Sequence, residues 1–456
     1  MTTLQSTRRS IKSTILKYNS ITCSQSSRPL SSATGSSCPI YVAATRQHVG
    51  KTTVSLSLLS GLQKRVDRVG FLKPVGQHSL TVSDMHSGGT GELVTVDKDV
   101  VLVKEHFGLD HVSYRYMSPV LIPPGYTKDY VDGKISSKSQ QEAIQTAYTE
   151  ISKTSSVVLA EGTGHCAVGS IVEAGNAKVA SWIGAKMVLV ANGGLGSAFD
   201  ELELNRVLCE YYNVEIAGVI INKVRIDKYD QTKYYLEKAL HDNWGIPLLG
   251  CIPDRPFLGC PALVDLEKLF GGTFVCGQEH ALRHYTVNDL NLVTTSLDVF
   301  LESLRSRPSR TLYVCHASRN DILLAFLGEH QRRKSRDESF EAALVLCEGD
   351  QLDPHILDML AFYDPPILVV PQATSLVMEK IHSFTPKLHA GDTTRVTATV
   401  NHYEPFIDFD LLLHQTGNTM HNNNNNNNNN NDANTTTTED GTTDVVHDEH
   451  NNMVAN

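Results

Sequence analysis

The sequence has no apolar run near the ~20 residues needed to cross a bilayer, which excludes a helical membrane span. Its nine cysteines form no C-x-x-C pair, and no His/Cys set has zinc-like spacing. With an odd count, they read as reduced thiols of an intracellular protein rather than a disulfide framework. G-x-S-x-G is missing from the body, which disfavours a nucleophile-elbow serine. A basic excess is missing too. The formal net charge is −10, and setting aside a +5 head and a −6 tail leaves −9 on residues 38–421. An acidic body argues against nucleic acid as the main partner.

Acids are absent from the first 37 residues, and the first one in the chain is Asp67. That head is rich in Ser and Thr and carries Arg8, Arg9, Lys12, Lys17 and Arg28, with Ile11, Ile15 and Leu16 beside them. The composition fits an organellar transit peptide, mitochondrial in the first place and plastid in the second; a plain disordered tail is the alternative. Residues 413–456 contain an unbroken Asn tract from Asn422 to Asn431 and then Thr and scattered acids. Such a segment cannot bury enough apolar area to fold.

Between the tails, short apolar β-branched runs alternate with amphipathic stretches. Strands are expected over 40–43, 69–72, 157–160, 187–191, 217–221 and 247–252, and helices over 198–212 and 229–242. Runs apolar almost throughout suit strands buried on both faces of a parallel sheet. The order implies right-handed crossovers and a doubly wound, mostly parallel α/β domain over 38–255, with ligands at the carboxyl ends of the strands. An irregular connector is expected over 256–304. A smaller α/β domain is expected over 305–412, with strands at 311–314, 342–346 and 366–370 and helices at 321–330, 355–362 and 375–383.

The loop after the first strand reads Ala44-Thr45-Arg46-Gln47-His48-Val49-Gly50-Lys51-Thr52-Thr53. Strand, loop ending in Gly-Lys-Thr, then helix is the layout of a P-loop. Its backbone N–H groups cradle phosphates, and the helix behind adds its positive N-terminal end. Lys51 would reach the β/γ-phosphates and Thr52 would face Mg²⁺. The full G-x-x-x-x-G-K-[ST] pattern is not met, since no glycine precedes Gly50 in the loop. The alternative is a glycine-capped turn with a chance Gly-Lys-Thr.

Lys73 closes the second strand, followed by Pro74. There it either neutralises charge on a transferring phosphoryl group or is a surface lysine at a strand end. Glu161 ends the third strand and precedes Gly162-Thr163-Gly164. An acid there can hold Mg²⁺ directly or through water, or be an exposed turn residue. Asp97 and Asp99 are candidates for a second acid. His48, His165 and Cys166 are expected to line the pocket without binding metal.

Ala44–Thr53, Lys73-Pro74-Val75, Glu161-Gly162-Thr163-Gly164 and Asn222-Lys223, in that order, resemble the dethiobiotin synthetase and cobyrinic acid diamide synthase group of P-loop proteins. Residues 190–196 and 250–254 resemble in particular the version at the N-terminus of bacterial phosphotransacetylases, and the second domain resembles the DRTGG-type domain that follows it there. The string Asp-Arg-Thr-Gly-Gly itself is absent. The resemblance implies ATP and Mg²⁺ as cofactors. It implies a nucleotide site of Arg46, His48, Val49, Gly50, Lys51, Thr52, Thr53, Asn222, Lys223, Pro253 and Asp254, with Asn222 on the adenine. It further implies Lys51 and Lys73 as catalytic lysines on the phosphates, and Thr52, Asp99 and Glu161 around the metal. In the ligases of this group, ATP phosphorylates a carboxylate or carbamate, and a nitrogen then displaces phosphate.

The sequence departs from dethiobiotin synthetases at Ala44, Arg46 and Gln77, where they use Gly, Asp and Ser, so biotin synthesis is not expected. Arg46 falls where partition-type ATPases of the wider superfamily place a lysine that crosses a dimer interface, which would make it a finger in a self-dimer. No acetyltransferase domain has a counterpart, so acetyl transfer to coenzyme A is not expected of this sequence. The resemblance implies a nucleotide-responsive regulatory module, acting on itself or on a metabolic enzyme partner. The alternatives are an ATP-dependent carbon–nitrogen ligase and a slow ATPase.

Overall fold

The computed structural model describes residues 38–85, 91–306, 310–349, 352–384 and 386–418. The basic head and the Asn tract lie outside them. The longer elements of the first part are β1 (Ile40–Ala44), α1 (Lys51–Gln63), β2 (Val69–Leu72), β3 (Ser79–Asp84), β4 (Glu92–Asp97), α2 (Lys98–Phe107) and α3 (Ser137–Ser152). Then come β5 (Val157–His165), β6 (Lys186–Asn192), α4 (Leu195–Tyr211), β7 (Ile216–Val224), α5 (Tyr229–Trp244) and β8 (Leu248–Pro253).

Six strands pair in parallel in the order β8-β7-β6-β1-β5-β2. β1 is buried along its whole length, as a central strand covered on both faces must be. The order reverses around β1, which puts the loop after it at the switch point where such sheets bind ligands. All six strands expected from the sequence are present. β5 runs five residues past its expected end at 160. Asn176 holds that extension straight: its side-chain oxygen accepts from the Thr163 N–H at 3.0 Å, and its amide donates to the carbonyls of Thr163 and His165. The antiparallel hairpin β3–β4 had no signal in the sequence, its outer face being exposed and largely polar.

The second sheet is built from α6 (Leu263–Phe270), β9 (Thr273–Cys276), β10 (Thr286–Leu292), α7 (Leu297–Ser306), β11 (Thr311–His316), α8 (Asn320–Lys334), β12 (Ala343–Cys347), α9 (Pro354–Tyr363), β13 (Ile367–Val370) and α10 (Thr374–Ser383). Its order is β9-β13-β12-β11-β10, parallel except for β9. Residues 256–304 are therefore not an irregular connector: they supply both edge strands and two helices. Edge strands need no continuous apolar run, and β10 carries Asn288, Asp289 and Asn291 in its seven residues.

The chain then returns. α11 (Thr393–Tyr403) and α12 (Phe409–Thr416) pack into the core of the first sheet, where Val396, Tyr403, Phe409, Leu412 and Leu413 are buried with β1 and α1. Residues 393–412 were expected in the second domain and 413 onward in an unfolded tail. The reason for the difference lies in α1. A Cβ on Gly61 would sit 2.0 Å from the Phe409 ring, so only glycine lets the returning aromatic reach the helix.

Phe409→Ala should lower stability by about 3–5 kcal/mol, the usual cost of deleting a buried aromatic. A urea midpoint equal to that of the parent chain would show that the return helices add nothing to the first core.

Candidate functional site

The loop from Thr45 to Gly50 joins β1 to α1. Gly50 adopts φ 87°, and a Cβ there would lie 2.4 Å from Asn222 Nδ2. Two groups at the end of β7 hold the loop. Asn222 Nδ2 donates to the Val49 carbonyl at 2.8 Å, and Lys223 Nζ donates to the His48 carbonyl at 2.9 Å. These bonds take up carbonyl oxygens. Among the described residues, none of the backbone N–H groups from Arg46 to Thr53 has an acceptor. A row of unpaired donors at a helix N-terminus is what an anion-binding loop requires.

Beneath the loop lies a cluster of four charges. Glu161 sits inside β5, paired in register with Val42, and is 0% exposed. Its Oε1 accepts from Lys51 Nζ, from Lys73 Nζ at 2.9 Å and from the Thr52 hydroxyl at 3.1 Å. Lys73 also donates to Asp99 Oδ2 at 2.7 Å and is 4% exposed, so it is no surface lysine. Of the two candidate acids, Asp97 is spent on structure: it accepts from the N–H groups of Gln77, His78 and Asp99 and caps α2. That cap aims Asp99 at Lys73.

The environment sets the charges. Burial works against ionisation of Glu161, but Lys51 and Lys73 outweigh it and hold the carboxyl well below its usual range. Burial likewise opposes the charge on Lys73, and Glu161, Asp99 and Asp97 more than offset it, so its pKa is raised. Lys51 goes the other way. Burial outweighs its pairing with Glu161, Lys73 adds repulsion, and its pKa falls to about 8.

A cleft of ≈ 640 Å³ opens above this cluster, bounded by the loop, by Asp254 and residues 255–260, and by residues 386–388 and Tyr403. Asn222 is fully buried, with its oxygen accepting from the Lys223 N–H. Asp254 borders the cleft, and its N–H is held by the Val224 carbonyl. The Pro253 carbonyl accepts from His402 Nε2 at 2.8 Å. Arg46 stays at the mouth with its side chain 56% exposed and Nε 3.4 Å from Glu201. His48 borders the cleft, whereas His165 and Cys166 do not. Cys166 is buried, with its Sγ 3.8 Å from that of Cys209, because β5 continues past the loop expected there.

Nothing in the sequence marked Tyr403, which is buried at the edge of the cleft with its hydroxyl facing the side chains of Thr53 and Asn222. It comes from the returning helix, far from every motif. Asn176 was missed as well: nothing marks it but its burial.

The residues present fit a magnesium–nucleotide pair. Glu161 Oε2 is buried without a hydrogen-bond partner among the described residues, beside the Thr52 hydroxyl. Among those residues no set of three His, Cys, Asp or Glu could hold a metal alone. Mg²⁺ commonly uses one or two carboxylates and completes its shell with phosphate and water.

The Lys51 shift gives a signed expectation. Below about pH 8 the free chain already carries the charge that a phosphate needs. Above it, binding must take up a proton, so the Kd for ATP should rise with pH by at most about tenfold per unit. A Kd unchanged between pH 7 and 9.5 would show that Lys51 is not the phosphate ligand.

Comparison with known proteins agrees with this layout. A family model described as AAA domain matches residues 39–262, and one described as DRTGG domain matches residues 265–384. A phosphate acetyltransferase of Nitrosomonas europaea is 24% identical over 389 residues, covering 83% of this chain and 51% of that protein. A cobyric acid synthase of Clostridium botulinum is 27% identical over 240 residues, covering 48% of this chain and 45% of its own. The chain spans about half the length of these curated relatives. Among solved structures, the MinD cell division protein of Aquifex aeolicus aligns at a TM-score of 0.29 and 16% identity, over 48% of this chain and 84% of that one. The chain is a P-loop protein with an AAA domain followed by a DRTGG domain, related to the N-terminal region of phosphate acetyltransferases.

Proposed function

We propose that this chain is an ATP- and Mg²⁺-binding regulatory module, in which nucleotide at the phosphate loop sets the position of the DRTGG domain or of a partner enzyme. One observation carries the reading. α11 touches the nucleotide loop at one end and the second domain at the other. Tyr403 is buried in the first core, its hydroxyl facing the side chains of Thr53 and Asn222. Arg395, eight residues earlier and 0% exposed, pairs with Asp392 at 2.6 Å and lies 3.5 Å from Asp265 of α6. Asp392 in turn holds His284 at 3.1 Å. A shift at the loop is thus transmitted through one rigid helix.

In this reading the phosphates take over Lys51 and Lys73, and Thr52, Asp99 and Glu161 hold Mg²⁺. The ion, when bound, neutralises charge on the phosphate oxygens. Lys223 and Asp254 border the space left for the base, whereas Asn222, expected on the adenine, is fully buried and spends its amide on the loop and on the Lys223 N–H. The acid-free basic head supports a mitochondrial address. A second reading rests on Lys73: an ammonium buried between two carboxylates beside a phosphate loop also suits an ATP-dependent ligase that works through an acyl phosphate, or a slow ATPase.

Calorimetry on the full chain tests the binding. Lys51→Ala should weaken Mg²⁺-dependent ATP binding by about 10- to 100-fold, the worth of a charged hydrogen bond. Wild-type protein that binds no ATP would end the reading. Hydrogen exchange tests the coupling. ATP should change protection in the second domain of the wild type, and Tyr403→Phe should bind ATP but lose that distant response. An undiminished response in Tyr403→Phe would leave the helix no part in it.

A further inference from the structure

The cleft has a second end, away from the loop. His78 (ahead of β3), Lys98 (the first residue of α2) and Lys387 (on the segment leaving the second domain) meet there. Lys387 Nζ lies 3.2 Å from His78 Nε2, and the His78 carbonyl accepts from the Lys98 N–H at 2.8 Å. The acids nearby are already engaged. Asp97 is buried and accepts three backbone N–H bonds, and Asp99 is paired with Lys73. Among the described residues neither Lys98 nor Lys387 has an ion pair. Two ammonium groups and an imidazole therefore share one rim of the cleft with no carboxylate in direct contact among the described residues. Two ammonium groups beside a neutral imidazole in a concave rim raise the local positive potential and favour an anion placed between them. The segment is not loose: Arg395 Nη2 donates to the Lys387 carbonyl, so the lysine is held to the rim by a buried residue of α11.

We propose that His78, Lys98 and Lys387 form a second anion subsite in the cleft, which takes a carboxylate or phosphate group of a second small ligand beside the nucleotide. The inference rests on reading the other end of the cleft as the nucleotide site, and it names what that site would sense or use together with ATP. Lys387 makes the subsite dependent on the second domain, because its segment is the one by which the chain comes back. Unlike Lys51 and Lys73, its lysines are paired with no carboxylate among the described residues; Lys387 donates only to the His78 ring. His78 supplies an internal reporter. Burial, then Lys387 and Lys98, hold its pKa below the usual histidine range, against the pull of Asp97 and Asp99. An anion between the three would reverse that.

The test titrates malonate and, separately, inorganic phosphate into the full chain saturated with a non-hydrolysable ATP analogue and Mg²⁺, with sodium chloride matched for ionic strength. Wild type should bind at least one of them, and the better of the two identifies the group recognised. Lys98→Ala and Lys387→Ala should each weaken that binding by about tenfold, as loss of one charged hydrogen bond implies. The His78 ring signal, assigned with His78→Gln, should titrate at higher pH in the anion complex. Absence of anion binding by the wild type, or equal binding by the Lys98→Ala/Lys387→Ala double variant, would overturn the proposal. If the ATP analogue itself does not bind, the nucleotide reading fails separately. The same titration on nucleotide-free Lys51→Ala protein then decides the rim, by the same two criteria.

Discussion

The carboxylate of Glu161 is the point on which the nucleotide end of this molecule turns. One of its oxygens receives Lys51, Lys73 and Thr52, and the other receives nothing among the described residues. A charge this deep is tolerated only because two ammonium groups are fixed against it, and they are fixed only because it is there. Removing any member strands the others. The backbone serves that arrangement. The parallel register sets Glu161 against Val42, the strand before the phosphate loop, and the Asp97 cap turns Asp99 toward Lys73. The chain thus keeps Lys51 and Lys73 engaged by internal carboxylates. In the proposed function, phosphate groups entering the loop would compete with Glu161 and Asp99 for them, and a carboxylate so released would be the seat for a divalent cation.

This competition explains why the site could be read without a ligand. A lysine that is buried, paired and yet shifted downward, as Lys51 is, lacks enough negative charge around it. Its partner Lys73 has more than enough. Above Lys51 lies the loop whose N–H donors from Arg46 to Thr53 find no acceptor among the described residues.

What the sequence disclosed and what it hid follow the same physics. The central strands were legible because burial on both faces demands unbroken apolar runs, as in Ile40–Ala44 and Ala343–Cys347. β9 and β10 were hidden because an edge strand is free to be short or polar. Lys51, Thr52 and Lys73 were legible because each follows a strand at the sheet's carboxyl edge, and Glu161 because an acid directly after the apolar run 157–160 stands out, although the strand continues past it. Asp97 and Asp99 could not be told apart from their own positions, since two acids two residues apart differ only through the cap that one of them makes; only the family resemblance singled out Asp99. Tyr403 and Arg395 were invisible. Their neighbours in sequence carry no motif, and their meaning lies wholly in contacts with residues such as Asn222 and Cys260. α12 straddles the position where an unfolded tail was expected to begin, and nothing in its eight residues says which of two sheets it covers.

The course of the chain has a consequence for synthesis. Arg395 reaches the Cys260 carbonyl across 135 positions, and Phe409 closes over Gly61 from farther still. The second sheet lies wholly within that span, so it is an insert with both ends anchored in its host. A ribosome delivers the insert before it delivers the last two helices of the host. Domains form as units while they emerge. The smaller sheet can therefore be complete while the larger one still shows bare apolar surface where α12 belongs. The nascent phosphate-loop domain must wait, partly open, for a domain that it will later enclose at both ends. The exposed groove left by Phe409, Leu412 and Leu413 is where a chaperone would be needed during that interval.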